Sequence, residues 1–139
     1  MIRLERITGA LPSGLDAMRD EARAENHTML DTLATEWESG RTRFDRPGEA
    51  LYAAYVDEML AGIGGLTLEP AIAGGLRMRR FYVCRQFRHR GVGRTLAFAL
   101  LKRQAGRTVT ANAAAGSEPF WEALGFIRDR RDGYTHVRR

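Results

Sequence analysis

The stretch of this chain that most restricts its fold runs from residue 80 to about residue 100. An apolar run, Arg80-Phe81-Tyr82-Val83, leads into Cys84-Arg85-Gln86-Phe87-Arg88-His89-Arg90-Gly91-Val92-Gly93-Arg94. A helical pattern follows, with Val92, Leu96, Ala99 and Leu100 on one face. Strand, basic glycine loop and helix in this order make a cradle for phosphate. The first N–H groups of a helix have no internal partner and carry partial positive charge. Gly91 and Gly93 let an anion approach the backbone without a Cβ in the way. Arg88, Arg90 and Arg94 add charge in a fork geometry that suits phosphate.

The loop is neither of the two commonest nucleotide motifs. A P-loop needs Gly-Lys-Ser/Thr, and Gly93 is followed by Arg94-Thr95. The dinucleotide fingerprint needs a third small residue where this chain has Leu96. What remains is Arg88-x-x-Gly91-x-Gly93, with Val83 five residues ahead of Arg88. Further on come Thr108-Val109-Thr110-Ala111-Asn112 and then Pro119-Phe120-Trp121-Glu122-Ala123-Leu124-Gly125-Phe126.

Over about residues 50–135 these features resemble the GNAT superfamily of N-acetyltransferases, and before that the similarity is one of element order. In that family a (Gln/Arg)-x-x-Gly-x-(Gly/Ala) loop binds the pyrophosphate of acetyl-coenzyme A. A strand ending in Val precedes the loop, and a strand, an Asn and a short helix ending Phe-Tyr-x-x-x-Gly-Phe follow it. The resemblance implies acetyl-coenzyme A as co-substrate. It places Phe81, Tyr82 and Val83 along the acetyl and pantetheine arm. Arg88, His89, Arg90, Gly91, Val92, Gly93 and Arg94 fall on the diphosphate, Asn112 on the pantetheine, and Trp121 at the thioester end.

The element pattern agrees with this expectation. Ile2–Ile7 alternates as a strand. Pro12 and Ser13 open a helix with Leu15, Met18 and Ala22 inward. A second helix is predicted from about Asn26 to Trp37 and is ended by Ser39-Gly40. Ala50–Val56 and Met59–Leu68 form a hairpin around Asp57-Glu58, with Gly62, Gly64 and Gly65 allowing a bulge or close approach. Leu76–Val83 is a strand, Gly91–Ala105 a helix, Arg107–Ala111 a strand and Ser117–Leu124 a short helix. Phe126–Arg130 and Tyr134–Arg138 close the chain as a hairpin around Asp132-Gly133. The predicted fold is one α/β domain over residues 1–139, with a central, twisted, mixed sheet in the order β-α-α-β-β-β-α-β-α-β-β.

Composition excludes several function classes. No run of 18 apolar residues exists to span a membrane, and the start of the chain lacks a signal-peptide apolar segment. The single cysteine, Cys84, suits a reducing cytoplasm. His27, His89 and His136 form no metal-ligand spacing, so no metal site is expected. Charge divides sharply: residues 1–76 carry net −6 and residues 77–139 net +11. The basic half holds the phosphate loop. Nucleic-acid binding is disfavoured, because few aromatics lie inside the basic cluster and Phe81 and Tyr82 alternate into a strand.

Acyl transfer from a thioester to an amine needs deprotonation of the amine, donors for the carbonyl oxygen and sometimes an acid for the thiolate. Where the family often has a Tyr for that acid, this chain has Trp121, which donates only through its indole N–H. Tyr82, Tyr134 and Cys84 are the candidate acids, and Glu69 is the candidate base. His89 reads as a side chain near phosphate and His27 as a residue at a helix start. Glu118 is expected to cap its short helix. The acidic first half predicts a negative rim, with Glu25, Glu36 and Glu38, drawing in a cationic acceptor. The reading is an acetyl-coenzyme A-dependent transferase acting on a primary amine of a small molecule or peptide, with a homodimer left open. A coenzyme-binding module without catalysis, or an enzyme acting on aminoacyl-tRNA, are the alternatives.

Overall fold

The computed structural model describes residues 1–104 and 106–139. Among them, seven strands form one sheet in the order β1-β2-β3-β4-β5-β7-β6. The chain runs β1 (Ile2–Arg6), α1 (Leu15–Ala24), α2 (Met29–Ser39), β2 (Ala50–Val56), β3 (Met59–Leu68), β4 (Leu76–Val83), α3 (Val92–Arg103), β5 (Val109–Ala111), α4 (Glu118–Ala123), β6 (Ile127–Arg131) and β7 (Tyr134–Arg138). This is the predicted element order. Every neighbouring pair is antiparallel except β4 with β5, which run parallel. Among the described residues, no helix is long and apolar enough to cross a membrane.

Alternation along β3 shows how the layers form. A Cβ on Gly62 would meet Val92 and Leu96 of α3, while one on Gly65 would meet Phe44, which follows α2. The two faces therefore carry different helices. Leu15, Met18 and Ala22 of α1 pack with Leu30, Leu33 and Trp37 of α2 against Ala53, Ala61 and Ile63. Ala97 and Leu100 of α3 pack with Trp121 and Leu124 against Leu66, Leu76 and Met78. Burying such side chains contributes roughly 1.5–3 kcal/mol each.

Local chemistry sets the boundaries, and several differ from the sequence expectation. Helix α1 begins at Leu15 behind Gly14 at φ 91, and no side chain caps it. Ser13 belongs to the turn ahead of it. Asn26 adopts φ 66, so it ends α1 rather than opening α2. Strand β5 starts at Val109, after Arg107 has turned to donate its Nε–H to the Gly74 carbonyl at 2.9 Å. The predicted end of the third helix, Ala105, lies outside the described residues. Asp57 and Glu58, at φ 49 and 63, form the tight β2–β3 turn.

Candidate functional site

Strands β4 and β5 touch only at their start. Leu76 pairs with Val109 and Arg77 with Thr110, and beyond these the strands part. Past that point β4 remains bonded to β3 on its other edge, as far as Val83 opposite Gly62. Its register slips between Ile63 and Gly65. Two β4 residues, Arg80 and Phe81, stand there against the single Gly64. Arg80 is at φ 57, the strained conformation of a bulge. Gly64 is required because the Phe81 ring occupies the place of its Cβ, about 2.5 Å away.

The parted strands leave a cleft of about 740 Å³. Met78 to Val83 form one wall, and Asn112, Ser117, Phe120 and Trp121 face them. The free edge of β4 offers backbone N–H and C=O groups to whatever lies in the cleft. Trp121 is buried within an aromatic cluster, its ring 5.2 Å from Phe81, 4.9 Å from Phe120 and 5.3 Å from Phe126, all edge-to-face. Its indole N–H meets no acceptor among the described residues. A hydrogen-bonded chain steadies the wall after β5. The Ala113 N–H donates to Thr135 Oγ1 at 2.9 Å, and Thr135 Oγ1 lies 2.8 Å from His136 Nδ1. His136 Nε2 lies 2.9 Å from Glu122 Oε2. A carboxylate only accepts, so Nε2 carries a proton, and the Thr135 hydroxyl has the Ala111 carbonyl at 3.3 Å as well as Nδ1 within reach.

One end of the cleft is the glycine loop. Gly91 stands at the start of α3 at φ 83, with open space where its Cβ would be. Thr95 donates its N–H to the Gly91 carbonyl at 3.0 Å. The N–H groups of Val92, Gly93 and Arg94 thus lie ahead of the helical ladder. Gly93 has a different role: its missing Cβ admits the Phe120 ring, which would lie 3.2 Å from that atom. His89, Arg90 and Arg94 are exposed around the loop. The guanidinium of Arg90 lies over Phe87 and that of Arg94 over Phe98.

Arg88 lines the cleft, but its guanidinium is engaged by the protein itself. It grips Glu25, with Nη2 2.6 Å from Oε1 and Nη1 3.0 Å from Oε2, and it donates Nε–H to the Val83 carbonyl at 2.9 Å. Arg85 adds a third contact to Glu25 at 3.1 Å. The Tyr82 hydroxyl stands 2.7 Å from both Glu21 and Glu25. The Arg88 guanidinium, followed by Tyr82, holds the Glu25 carboxyl down at about 2. Sequence reasoning missed this latch, which spans 63 residues from Glu25 to Arg88. One signal was there: Glu21 and Glu25 share a face at the C-terminal end of α1, where the helix dipole disfavours acids.

The candidate catalytic groups lie as follows. Tyr82 lines the cleft, but its hydroxyl is engaged by the two glutamates, and burial and both carboxylates push its pKa upward. Tyr134 is buried in β7 and does not line the cleft. Cys84 is buried with its thiol pushed up to about 11, chiefly by burial, and it faces the Leu60 carbonyl. Glu69 is also buried away from the cleft. Its carboxylate accepts the Thr110 hydroxyl at 2.7 Å and the Ala71 N–H at 3.1 Å. Both oxygens are thus committed to holding β5 against the β3–β4 loop, which corrects the expectation of a base at Glu69. His27, expected only at a helix start, lines the cleft beside Tyr82. Glu118 accepts the Gly116 N–H at 2.8 Å ahead of α4.

A second cavity, of about 450 Å³, adjoins the cleft between the loop after α2 and β4. The two share Arg77, Arg79 and Arg80. The acidic rim expected from the first half of the chain does not form here. Glu25 is held by Arg88 and Arg85, and Glu36 by Arg80 at 2.7 Å. Arg41, Arg43 and Arg46 enter this cavity from the acidic half itself. Pairing in space, not net charge along the chain, sets its sign.

Comparison with known proteins agrees with this geometry. The family model described as an acetyltransferase (GNAT) domain matches residues 16–137. Among solved structures, an acetyltransferase from Exiguobacterium sp. 255-15 superposes with a TM-score of 0.88 at 18% identity, over 99% of this chain and 92% of that one. A GNAT-family acetyltransferase from Staphylococcus aureus Mu50 gives 0.78 at 13% identity, over 99% and 98%. The Bacillus subtilis N-acetyltransferase YlbP, solved in complex with coenzyme A, gives 0.65 at 15% identity, over 99% and 95%. No curated protein matches the chain significantly.

Proposed function

Because the chain belongs to the GNAT acetyltransferase family, we propose that it transfers the acetyl group of acetyl-coenzyme A to a primary amine of a small molecule or peptide. The observation that carries this reading is the cleft between β4 and β5, open along an unpaired strand edge and ending at the N-terminus of α3. The likeness to YlbP, whose structure holds coenzyme A, supports the choice of carrier. The first N–H groups of α3, with Arg90 and Arg94, would bind the diphosphate. The free β4 edge would pair with the amide arm, and Asn112 would meet it from the far wall. Phe81 and Trp121 would enclose the thioester.

In the reaction the amine nitrogen bonds to the acetyl carbon, the carbon–sulfur bond breaks, and the amine proton leaves. The products are the N-acetyl compound and the free thiol, with one further proton released when the amine enters as its ammonium ion. Backbone N–H groups beside the Arg80 bulge would receive the carbonyl oxygen as it gains charge. His27 is the one imidazole lining the cleft among the described residues, and it would accept the amine proton. The guanidinium groups of Arg79 and Arg80 assist, since cations disfavour the protonated amine. With Trp121 in place of an acid, the thiolate leaves unassisted and is protonated by solvent.

The test is a calorimetric titration with acetyl-coenzyme A, then an amine panel followed by thiol release. Binding with thiol release is expected. Absence of binding would remove the assignment. Binding without turnover for any amine would favour a coenzyme-binding module.

A further inference from the structure

Arg79 is a half-buried cation without a partner. Its guanidinium makes no hydrogen bond or ion pair among the described residues, although the residue lines both the cleft and the smaller cavity. Arg80 beside it is nearly as exposed to this problem. Its side chain is 14% accessible, its Nη2 meets Glu36, and its Nε–H is buried with no acceptor. Leaving a buried charged donor unsatisfied is costly, more so than for a neutral group. Neighbouring arginines increase that cost, and burial together with Arg80 and Arg77 pushes the Arg79 pKa down.

The remaining walls do not cancel this charge. Six arginines line the smaller cavity against three carboxylates. Of these, Glu36 is taken by Arg80. Glu49 is buried and accepts the backbone N–H groups of Arg46 and Leu68. Only Asp45, exposed in the loop, has no assigned donor. The cavity is therefore short of negative charge at the arginines it shares with the cleft.

We propose that the acceptor is a small amine bearing an oxyanion, a carboxylate or a phosphate, which Arg79 binds. This rests on the acetyl-transfer reading and names the substrate class for the same site. With its anion on Arg79, such a molecule can extend its amine over the β4 bulge into the cleft, because both cavities include that segment. An oxyanion supplies the missing acceptors in a planar, two-pronged geometry that matches guanidinium. A diamine would bring a second cation into a site that already has an excess of positive charge.

The experiment compares matched pairs: 4-aminobutyrate with 4-aminobutanamide, and O-phosphoethanolamine with ethanolamine. Thiol release gives kcat/KM for each. The anionic member should be preferred about tenfold or more in at least one pair, and the pair with the larger ratio identifies carboxylate or phosphate. In Arg79→Gln that ratio should collapse toward one. A preference for the neutral member, or a ratio that Arg79→Gln leaves intact, overturns the proposal. A second measurement does not depend on turnover: calorimetric binding of 4-aminobutyrate and O-phosphoethanolamine to protein saturated with coenzyme A, in the parent and in Arg79→Gln. Binding of either anion that is lost in the variant supports the proposal, and binding of neither overturns it. Failure of coenzyme A itself to bind would sink the acetyl-transfer reading, and the same anion titrations on the free protein would still decide this one.

Discussion

Residues 77–80 and 85–94 look alike as text, each dense in arginine, yet the fold gives their side chains different partners. In the loop, Arg85 and Arg88 are neutralised by Glu25, and Arg90 and Arg94 lie exposed over aromatic rings. In β4, Arg77 reaches the Gly133 carbonyl, Arg80 is half satisfied, and Arg79 has no partner among the described residues. In the loop, Arg85 and Arg88 are spent on Glu25, and Arg90 and Arg94 stay free beside the N–H groups of the cradle. In the strand, only Arg79 keeps its whole binding capacity among the described residues. What an arginine does thus depends on whether the fold has already given it an acceptor. The following variants probe that distinction.

The largest effect should come from breaking the loop's latch. Glu25→Gln removes the charge that holds Arg88, Arg85 and Tyr82, and Glu25 is only 15% accessible. Since Arg88 keeps some solvent contact, we expect a loss of about 2 kcal/mol, below the range for fully buried pairs. The carboxyl falls from its ordinary 4.5 to about 2 in the folded protein. A depressed carboxyl stabilises above its unfolded pKa and loses that contribution as pH falls through the folded value. The gap between the parent and Glu25→Gln should therefore be full above about pH 5 and shrink between about 4.5 and 2. Urea unfolding at several pH values measures it. A gap that ignores pH would mean the latch is held by packing.

The extent to which this was legible in the sequence follows the range of the interactions. Strands Leu76–Val83, Ala50–Val56 and Met59–Leu68, and the turn at Asp57-Glu58, stand where periodicity and turn chemistry put them. The loop's glycines were legible too, because a strand, a turn and a helix start are local features. The Glu25–Arg88 grip, the burial of Glu69 under Thr110 and the approach of Arg41–Arg46 to β4 were not. Each joins residues far apart in the chain, and neither local pattern nor net charge records which acid meets which base. Prediction of a negative acceptor rim failed for that reason.

A smaller effect separates charge from backbone in the cradle. The double variant Arg90→Gln, Arg94→Gln removes two exposed cations and leaves the glycine conformation and the N–H groups in place. Affinity for acetyl-coenzyme A should fall about fivefold, equivalent to roughly 1 kcal/mol. The loss should fade as salt rises from about 0.01 to 0.15 M, since exposed charges are screened. Calorimetry at both salt levels checks it. A loss above about a hundredfold would mean that the arginines, rather than the helix N-terminus, hold the phosphates.

The smallest effect is the most discriminating for the comparison. Arg43 lines the same basic cavity as Arg79, but its Nε–H is already given to the Trp37 carbonyl at 2.8 Å and its guanidinium lies 5.8 Å from the Trp37 ring centre. If the cavity selects anions simply through its count of positive charges, Arg43→Gln and Arg79→Gln should weaken the preference for 4-aminobutyrate over its amide alike. If selection comes from a guanidinium that lacks an acceptor, Arg43→Gln should shift that ratio by no more than about twofold, as expected for an exposed charge in high dielectric. Arg79→Gln should abolish it. Two substitutions of identical chemistry in one cavity then separate an exposed, partnered arginine from a half-buried one without an acceptor. Equal losses in both would show that the field of the whole cluster governs recognition, and the distinction between partnered and unpartnered arginines would fall with it.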